Sequence, residues 1–239
     1  MQASDIPTLD KDYFNNAYCN MDDWRYEMRR ELQEIVPGVF LGPFSACRQI
    51  EELKATGITH VVCFVDQNEA RLFRTENLAQ YFHYQQFIVS DSNLQNLIQY
   101  FPNTSKYIHN VISQQGKVVV CCNGGMSRSP TFVIAYVMEV FKIDASQAYH
   151  FVQGRRLCIN PNDGFKSQLK EYEPIYKARQ SNTHNDDRQS NRRRRRSDPD
   201  EETQEHSQQP DRSDSKRLSR LQDQNSQQNV NPGYTSMLL

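Results

Sequence analysis

The sequence predicts an α/β domain, a central mixed sheet flanked by helices, followed by a disordered polar tail. Short Val, Ile and Phe runs alternate with stretches whose apolar residues recur at helical spacing. The Val-rich run Lys117 to Cys121 follows Gly116 and leads through a Gly-containing loop into an apolar helix, as a buried strand in a layered sheet would. Beyond Gln180 the composition turns abruptly to Asn, Gln, Ser, Asp and Arg, with hardly an aliphatic residue before Met237-Leu238-Leu239. Such a segment has too little apolar surface to fold alone. The chain of 239 residues, with a net charge of -1, therefore divides into an N-terminal arm (1–24), one folded domain (25–178) and a polar tail (179–239).

Short apolar runs place strands at Val39 to Leu41, Thr59 to Val65, Tyr84 to Val89 and Lys117 to Cys121. Helices are expected over Ala46 to Ala55, Leu94 to Ser113, Ser129 to Phe141, Ala145 to Gly154 and Gly164 to Ala178. The second carries Leu94, Leu97, Ile98 and Phe101 on one face. In the third, Pro130 suits the first turn, and Phe132, Val133, Tyr136, Val137 and Val140 recur at helical spacing.

The chemistry concentrates between Cys121 and Pro130. Cys122 and Arg128 flank five residues, Asn123, Gly124, Gly125, Met126 and Ser127. At that spacing a tight loop can wrap one tetrahedral anion so that sulfur and guanidinium reach it together. Backbone N–H groups from Asn123 to Arg128 point inward only in conformations that Gly124 and Gly125 permit cheaply. The positive end of the following helix stabilises both a bound phosphate and a Cys122 thiolate. Arg128 offers a bidentate fork to two phosphate oxygens. Ser129 is placed to donate its hydroxyl to the sulfur and help it leave in a second chemical step. The competing reading, two structural cysteines ending a core strand, leaves Gly124-Gly125 and Ser127-Arg128-Ser129-Pro130 without a purpose.

A thiol attacking phosphorus needs a proton donor for the departing oxygen. Asp91 is the candidate, because it follows the apolar run Phe87-Ile88-Val89 and precedes an expected helix, on the same kind of strand-to-helix loop as Cys122. Its alternative is an N-cap, a role that Ser90, Ser92 and Asn93 could equally fill.

Three segments together resemble the dual-specificity phosphatases: Ile88-Val89-Ser90-Asp91 through Asn96 to Phe101, Cys122 to Pro130, and Cys158-Ile159-Asn160-Pro161-Asn162 with Gln168-Leu169. The resemblance runs from about Trp24 to Ala178. Met28-Arg29-Arg30-Glu31, Gln33-Glu34-Ile35, Phe40-Leu41-Gly42-Pro43, Gly57-Ile58-Thr59-His60 and Glu171-Tyr172-Glu173 are similar to the STYX-like pseudophosphatase branch of that family. The resemblance implies a cysteine-phosphatase domain with phosphorylated proteins, MAP kinases among them, as partners. That branch carries glycine at the nucleophile position and binds without catalysis, whereas this chain has Cys122 there. Active members and the branch alike place histidine immediately before that position, where this chain has Cys121. A weaker hydrogen-bonding neighbour predicts activity that is real but impaired. The adjacent Cys121 and Cys122 also suggest a vicinal disulfide as a redox switch.

Two functions therefore stand side by side: a phosphatase using Cys122, Arg128, Asp91 and Ser129, and a phosphoprotein anchor using the same loop. Neither requires a cofactor or a metal, and His60, His83, His109 and His150 lack ligand spacing. No apolar stretch approaches membrane-spanning length, and no signal peptide is recognisable. Cys19, Cys47, Cys63 and Cys158, spread over expected strands and helices, suggest a reducing cell interior. The near-neutral charge disfavours a nucleic-acid partner. Arg192 to Arg196 reads as a candidate nuclear-localisation run, against a solvated tail, so cytoplasm and nucleus are both expected. Ser197, between that run and an acidic block, is a candidate phosphorylation site. No residue speaks to oligomeric state.

Overall fold

The computed structural model describes residues 11–16, 24–73 and 76–194. Strands β1 (Gln33–Val36), β2 (Val39–Pro43), β3 (His60–Val65), β4 (His83–Ile88) and β5 (Val118–Cys122) form one sheet in the order β1-β2-β5-β3-β4. The helices are α1 (Lys11–Asn16), α2 (Ile50–Thr56), α3 (Gln67–Leu72), α4 (Glu76–Ala79), α5 (Phe101–Ser113), α6 (Arg128–Phe141), α7 (Ala145–Arg155) and α8 (Asp163–Arg194). This is the mixed α/β architecture expected from the sequence. The described residues all lie in one compact unit, Met1–Arg195, and residues from 195 onward fall outside the description, Arg195, Arg196 and Ser197 among them. Cys19 also falls outside it.

β5 is the middle strand because it is apolar on both faces: all five of its residues are buried, and it pairs in parallel with β2 on one side and β3 on the other. Pro43 and Phe64 both sit opposite Cys122, and Val65 sits opposite Ile88. Four parallel strands thus end along one edge of the sheet, and the loops that follow them share that edge. Only β1 is antiparallel, joined to β2 by a tight hairpin. Its polar start, Gln33-Glu34, hid it from the apolar-run criterion.

The strands alternate their side chains between two cores. Val118, Val120 and Cys122 enter the larger one, with Phe64 stacked on Phe132 at a ring separation of 3.7 Å. Val119 and Cys121 enter the smaller one, with Leu53 of α2 and Leu78 of α4. α6 is central to the larger core: twelve of its fourteen residues are buried, and it packs against α5, α7 and α8. A helix apolar on all sides is a buried helix, which is why its start, Arg128, is fixed so firmly.

Three expected helices differ in extent. The one from Leu94 begins instead at Phe101, after a 3-10 turn at Ile98–Tyr100. Pro102 has no N–H to donate back to Ile98, so a regular helix cannot run through that point. Leu94 is consequently 94% exposed, while Leu97 and Phe101 are buried. The Ala46 to Ala55 helix breaks at Gln49 into a 3-10 turn, Ala46–Arg48, and α2. α8 runs past Ala178 to Arg194, aided by a Lys177–Glu173 ion pair at 2.5 Å and by Arg179 donating to Glu139 and to the Tyr172 hydroxyl. Arg192, Arg193 and Arg194 thus lie on this helix. Among the described residues no helix is long and apolar enough to cross a membrane.

Candidate active site

Cys122 ends β5 and is 2% exposed, with the Ser129 hydroxyl donating to its sulfur at 3.1 Å. The chain then turns through Asn123 to Ser127 before entering α6. Gly125 has a φ of +62°, and a Cβ there would stand 2.3 Å from the Gly42 carbonyl carbon. The loop therefore lies flat on the end of β2, which only glycine allows.

Ser127 occupies the N-cap position of α6 but makes no capping hydrogen bond. Its hydroxyl donates instead to Asp91 Oδ1 at 2.7 Å. A serine that would ordinarily satisfy an orphan amide is diverted, and the first amides of α6 stay available for an anion.

Arg128 is 4% exposed and is gripped from the side by Glu69. NH1 donates to Glu69 Oε2 at 2.5 Å and NH2 to Oε1 at 2.9 Å, while NH1 also reaches the Val89 carbonyl at 3.3 Å. Nε is buried with no hydrogen-bond partner, and its nearest carboxylate oxygen, Asp91 Oδ2, is 3.9 Å away. One edge of the guanidinium is thus held by protein, and the Nε edge is left for a ligand oxygen. Partial burial would raise the Glu69 carboxyl, but Arg128, the Asp66 amide and the Asn123 side chain outweigh it and hold the group below the usual carboxylate range. Desolvation lowers Arg128, and the Glu69 hydrogen bond with the charges of Cys122, Glu69 and Asp91 overcomes it, so the guanidinium is more firmly protonated than usual.

Asp91 is not an N-cap, because the helix expected directly after it starts only at the Ile98–Tyr100 turn and Phe101. Its Oδ1 also accepts from Asn162 Nδ2 at 2.9 Å, and its side chain stays 40% exposed. Asn162 serves two loops at once, since its Oδ1 accepts the Phe165 amide at 2.9 Å at the start of α8. Gln168 of α8 accepts the Leu97 amide at 2.6 Å and donates to the Gln95 carbonyl at 2.8 Å. A Cβ on Gly164 would stand 2.3 Å from the Asn93 carbonyl oxygen. The Asp91 loop is therefore seated on the amino end of α8 and held over the Cys122 loop.

The vicinal disulfide does not survive the structure. Cys121 and Cys122 are consecutive strand residues, so they enter opposite cores. Cys121 lies with Cys47 and Cys63, and hydrogen bonding of its S–H to both neighbouring sulfurs, followed by burial, pushes it well above the ordinary thiol range. All three are free cysteines. Cys121 is a packing residue and offers nothing to the Cys122 sulfur.

The structure brings together Cys122, Asn123 to Ser127, Arg128, Ser129 and Asp91, all of which the sequence singled out. Two neighbours on the Arg128 and Asp91 side were missed. Glu69 was visible only as the last member of Asp66-Gln67-Asn68-Glu69, a capping box in which the Asp66 amide donates to Glu69 Oε2 at 2.9 Å and Asp66 Oδ1 accepts the Glu69 amide at 2.8 Å. That pattern marks a helix start at a strand end, but not the second task of the carboxylate. Asn162 lay inside a quoted motif, with no local signal of its reach to Asp91.

A thiol at the carboxyl end of the central parallel strand, wrapped by a loop that ends on an arginine at a helix start, defines the cysteine-phosphatase architecture. The chain belongs to the family described as dual specificity phosphatase, catalytic domain, which matches residues 39–175. It is 46% identical over 160 residues to the human serine/threonine/tyrosine-interacting protein, covering 66% of this chain and 71% of that one. Human dual specificity protein phosphatase 22 is 34% identical over 155 residues, covering 64% and 80%. The crystal structure of the human tyrosine phosphatase-like serine/threonine/tyrosine-interacting protein superposes with a TM-score of 0.59 at 45% identity, covering 62% of this chain and 98% of that one.

Proposed function

We propose that this protein is a protein phosphatase that hydrolyses phosphotyrosine and phosphoserine or phosphothreonine through a cysteinyl-phosphate. The observation that carries this reading is the Ser129 hydroxyl donating to Cys122 Sγ at 3.1 Å, in a loop that Arg128 closes. A hydrogen bond to sulfur favours the thiolate as nucleophile and again as leaving group. Cys122 attacks phosphorus, and Asp91 gives its proton to the departing oxygen. A water deprotonated by Asp91 then attacks the cysteinyl-phosphate and releases phosphate and the thiolate. The inward amides and the Nε edge of Arg128 stabilise the equatorial oxygens in both steps. Phosphorylated signalling proteins, MAP kinases among them, are the proposed partners, and the Arg192 to Arg196 run supports a share of the protein in the nucleus as well as the cytoplasm.

The test is hydrolysis of a generic aryl phosphate by the full chain under reducing conditions, beside Cys122→Ser. Turnover that falls to the protein-free rate in the variant supports the enzyme; equal rates in both proteins contradict it. A second reading is a phosphoprotein anchor, favoured by the similarity to serine/threonine/tyrosine-interacting proteins and by Cys121 facing away from the site. It predicts phosphopeptide binding that depends on Arg128, with no turnover.

A further inference from the structure

Arg156, the residue after α7, is 0% exposed, yet none of its hydrogen-bond acceptors is charged. Nε donates to the Gly125 carbonyl at 2.9 Å, NH1 to the Glu31 carbonyl at 3.0 Å and to Gln33 Oε1, and NH2 to the Arg29 carbonyl at 2.8 Å and the Gly124 carbonyl at 3.5 Å. Among the described residues no carboxylate pairs with it. A buried guanidinium held only by neutral oxygens is an unusual expense, and its position explains what it is for.

In a trans peptide the C=O of one residue and the N–H of the next point in opposite directions. Drawing the Gly124 and Gly125 carbonyls backward toward Arg156 therefore turns the Gly125 and Met126 amides forward. Asn160 continues the series, because its amide donates to the Met126 carbonyl at 2.7 Å and so turns the Ser127 amide the same way. Three successive amides are aimed from behind the loop. Forward here means away from Arg156, and α6, which follows the loop, has no side-chain cap on its amino end.

The charge points the same way. Burial makes the Arg156 guanidinium easier to deprotonate than usual, and among the described residues the groups whose negative charge opposes this are Cys158 and Cys122 in their thiolate forms. The other charged groups around the Cys122 sulfur are Arg128 from α6, Asp91 from the loop after β4 and, through Arg128, Glu69 of α3. Asp91 and Glu69 accept hydrogen bonds or charge on the Arg128 side, so Arg156 is the cation with no carboxylate of its own.

We propose that Arg156 is a positioning residue that builds the anion cradle from behind: its fork fixes the Gly125 and Met126 amides toward the ligand, and its charge is neutralised by the phosphate and the Cys122 thiolate. This rests on the reading that the Cys122 loop holds phosphate, and it holds equally for an enzyme and an anchor.

The experiment uses the full chain, with inorganic phosphate as the probe, followed by calorimetric titration. In parallel, the pH midpoint for alkylation of Cys122 by iodoacetamide is read by mass spectrometry of its peptide. Arg156→Met is expected to weaken phosphate binding by at least roughly tenfold and to move the alkylation midpoint upward. Arg156→Lys keeps the charge without the fork, so it should hold the midpoint near that of the unaltered protein while phosphate binding still weakens. A folded Arg156→Met variant with phosphate affinity and midpoint both unchanged overturns the proposal. Should Arg156→Met fail to fold, Arg156→Lys decides, and phosphate affinity in it equal to the unaltered protein overturns the proposal. Failure of the unaltered protein to bind phosphate would instead overturn the cradle, and this inference with it. Turnover enters none of these readouts.

Discussion

Gly125→Ala is expected to abolish phosphate binding and to lower the stability of the domain by about 3 kcal/mol. Two separate costs combine: holding alanine at a left-handed φ costs about 1–2 kcal/mol, and forcing a methyl group into backbone already in contact costs about 1–3 kcal/mol. The φ at this position is +62°, and the new Cβ would meet the Gly42 carbonyl carbon at 2.3 Å and Pro43 N at 2.6 Å. Neither neighbour is a flexible side chain, so the loop has to lift away from β2. Lifting it breaks the Arg156 bond to the Gly125 carbonyl and turns the inward amides aside. Urea denaturation and phosphate titration check the two halves separately. A variant that keeps both its stability and its phosphate affinity would mean that the loop does not need this conformation.

Asp91→Asn is expected to act on chemistry alone. Asparagine retains an Oδ1 acceptor, so the bonds from Ser127 at 2.7 Å and Asn162 at 2.9 Å can persist and the loop stays seated on α8. What is lost is the proton, worth about 10²–10⁴-fold in rate for a positioned general acid. The loss should be largest for phosphotyrosine and phosphothreonine peptides, whose leaving oxygens are basic, and smallest for an aryl phosphate with an acidic phenol. Phosphate affinity should change little. Measuring kcat and KM for both substrate types tests this, and an equal loss on each would point to a displaced loop rather than to a missing acid.

The sequence was most informative where local chemistry and local structure coincide. Val118 to Cys122 is apolar on both faces, and the loop and helix that follow carry their constraints in adjacent residues, so Cys122, Arg128 and Ser129 could be placed without knowing the sheet order. Asp91 was legible as a residue at a strand end, but whether it caps a helix depended on where α5 begins. Pro102 decides that by removing the hydrogen bond that a helix from Leu94 would need. Glu69 and Asn162 were hidden for a different reason. Each reaches the site from a separate strand or helix end, and only the shared edge of the four parallel strands and the seating of α8 bring them in. Cys121 misled because adjacency in sequence suggests adjacency of thiols, whereas a strand sends consecutive side chains to opposite faces.

The most direct test of a nucleophilic Cys122 is to mix the full chain with an aryl phosphate, quench in acid during turnover and locate covalent phosphate by mass spectrometry. Phosphate on the Cys122 peptide, absent from Cys122→Ser and accumulating in the unaltered protein, is the predicted result. Turnover of the substrate with no phosphate on Cys122 at any quench time, and with the Cys122→Ser variant equally active, would contradict it.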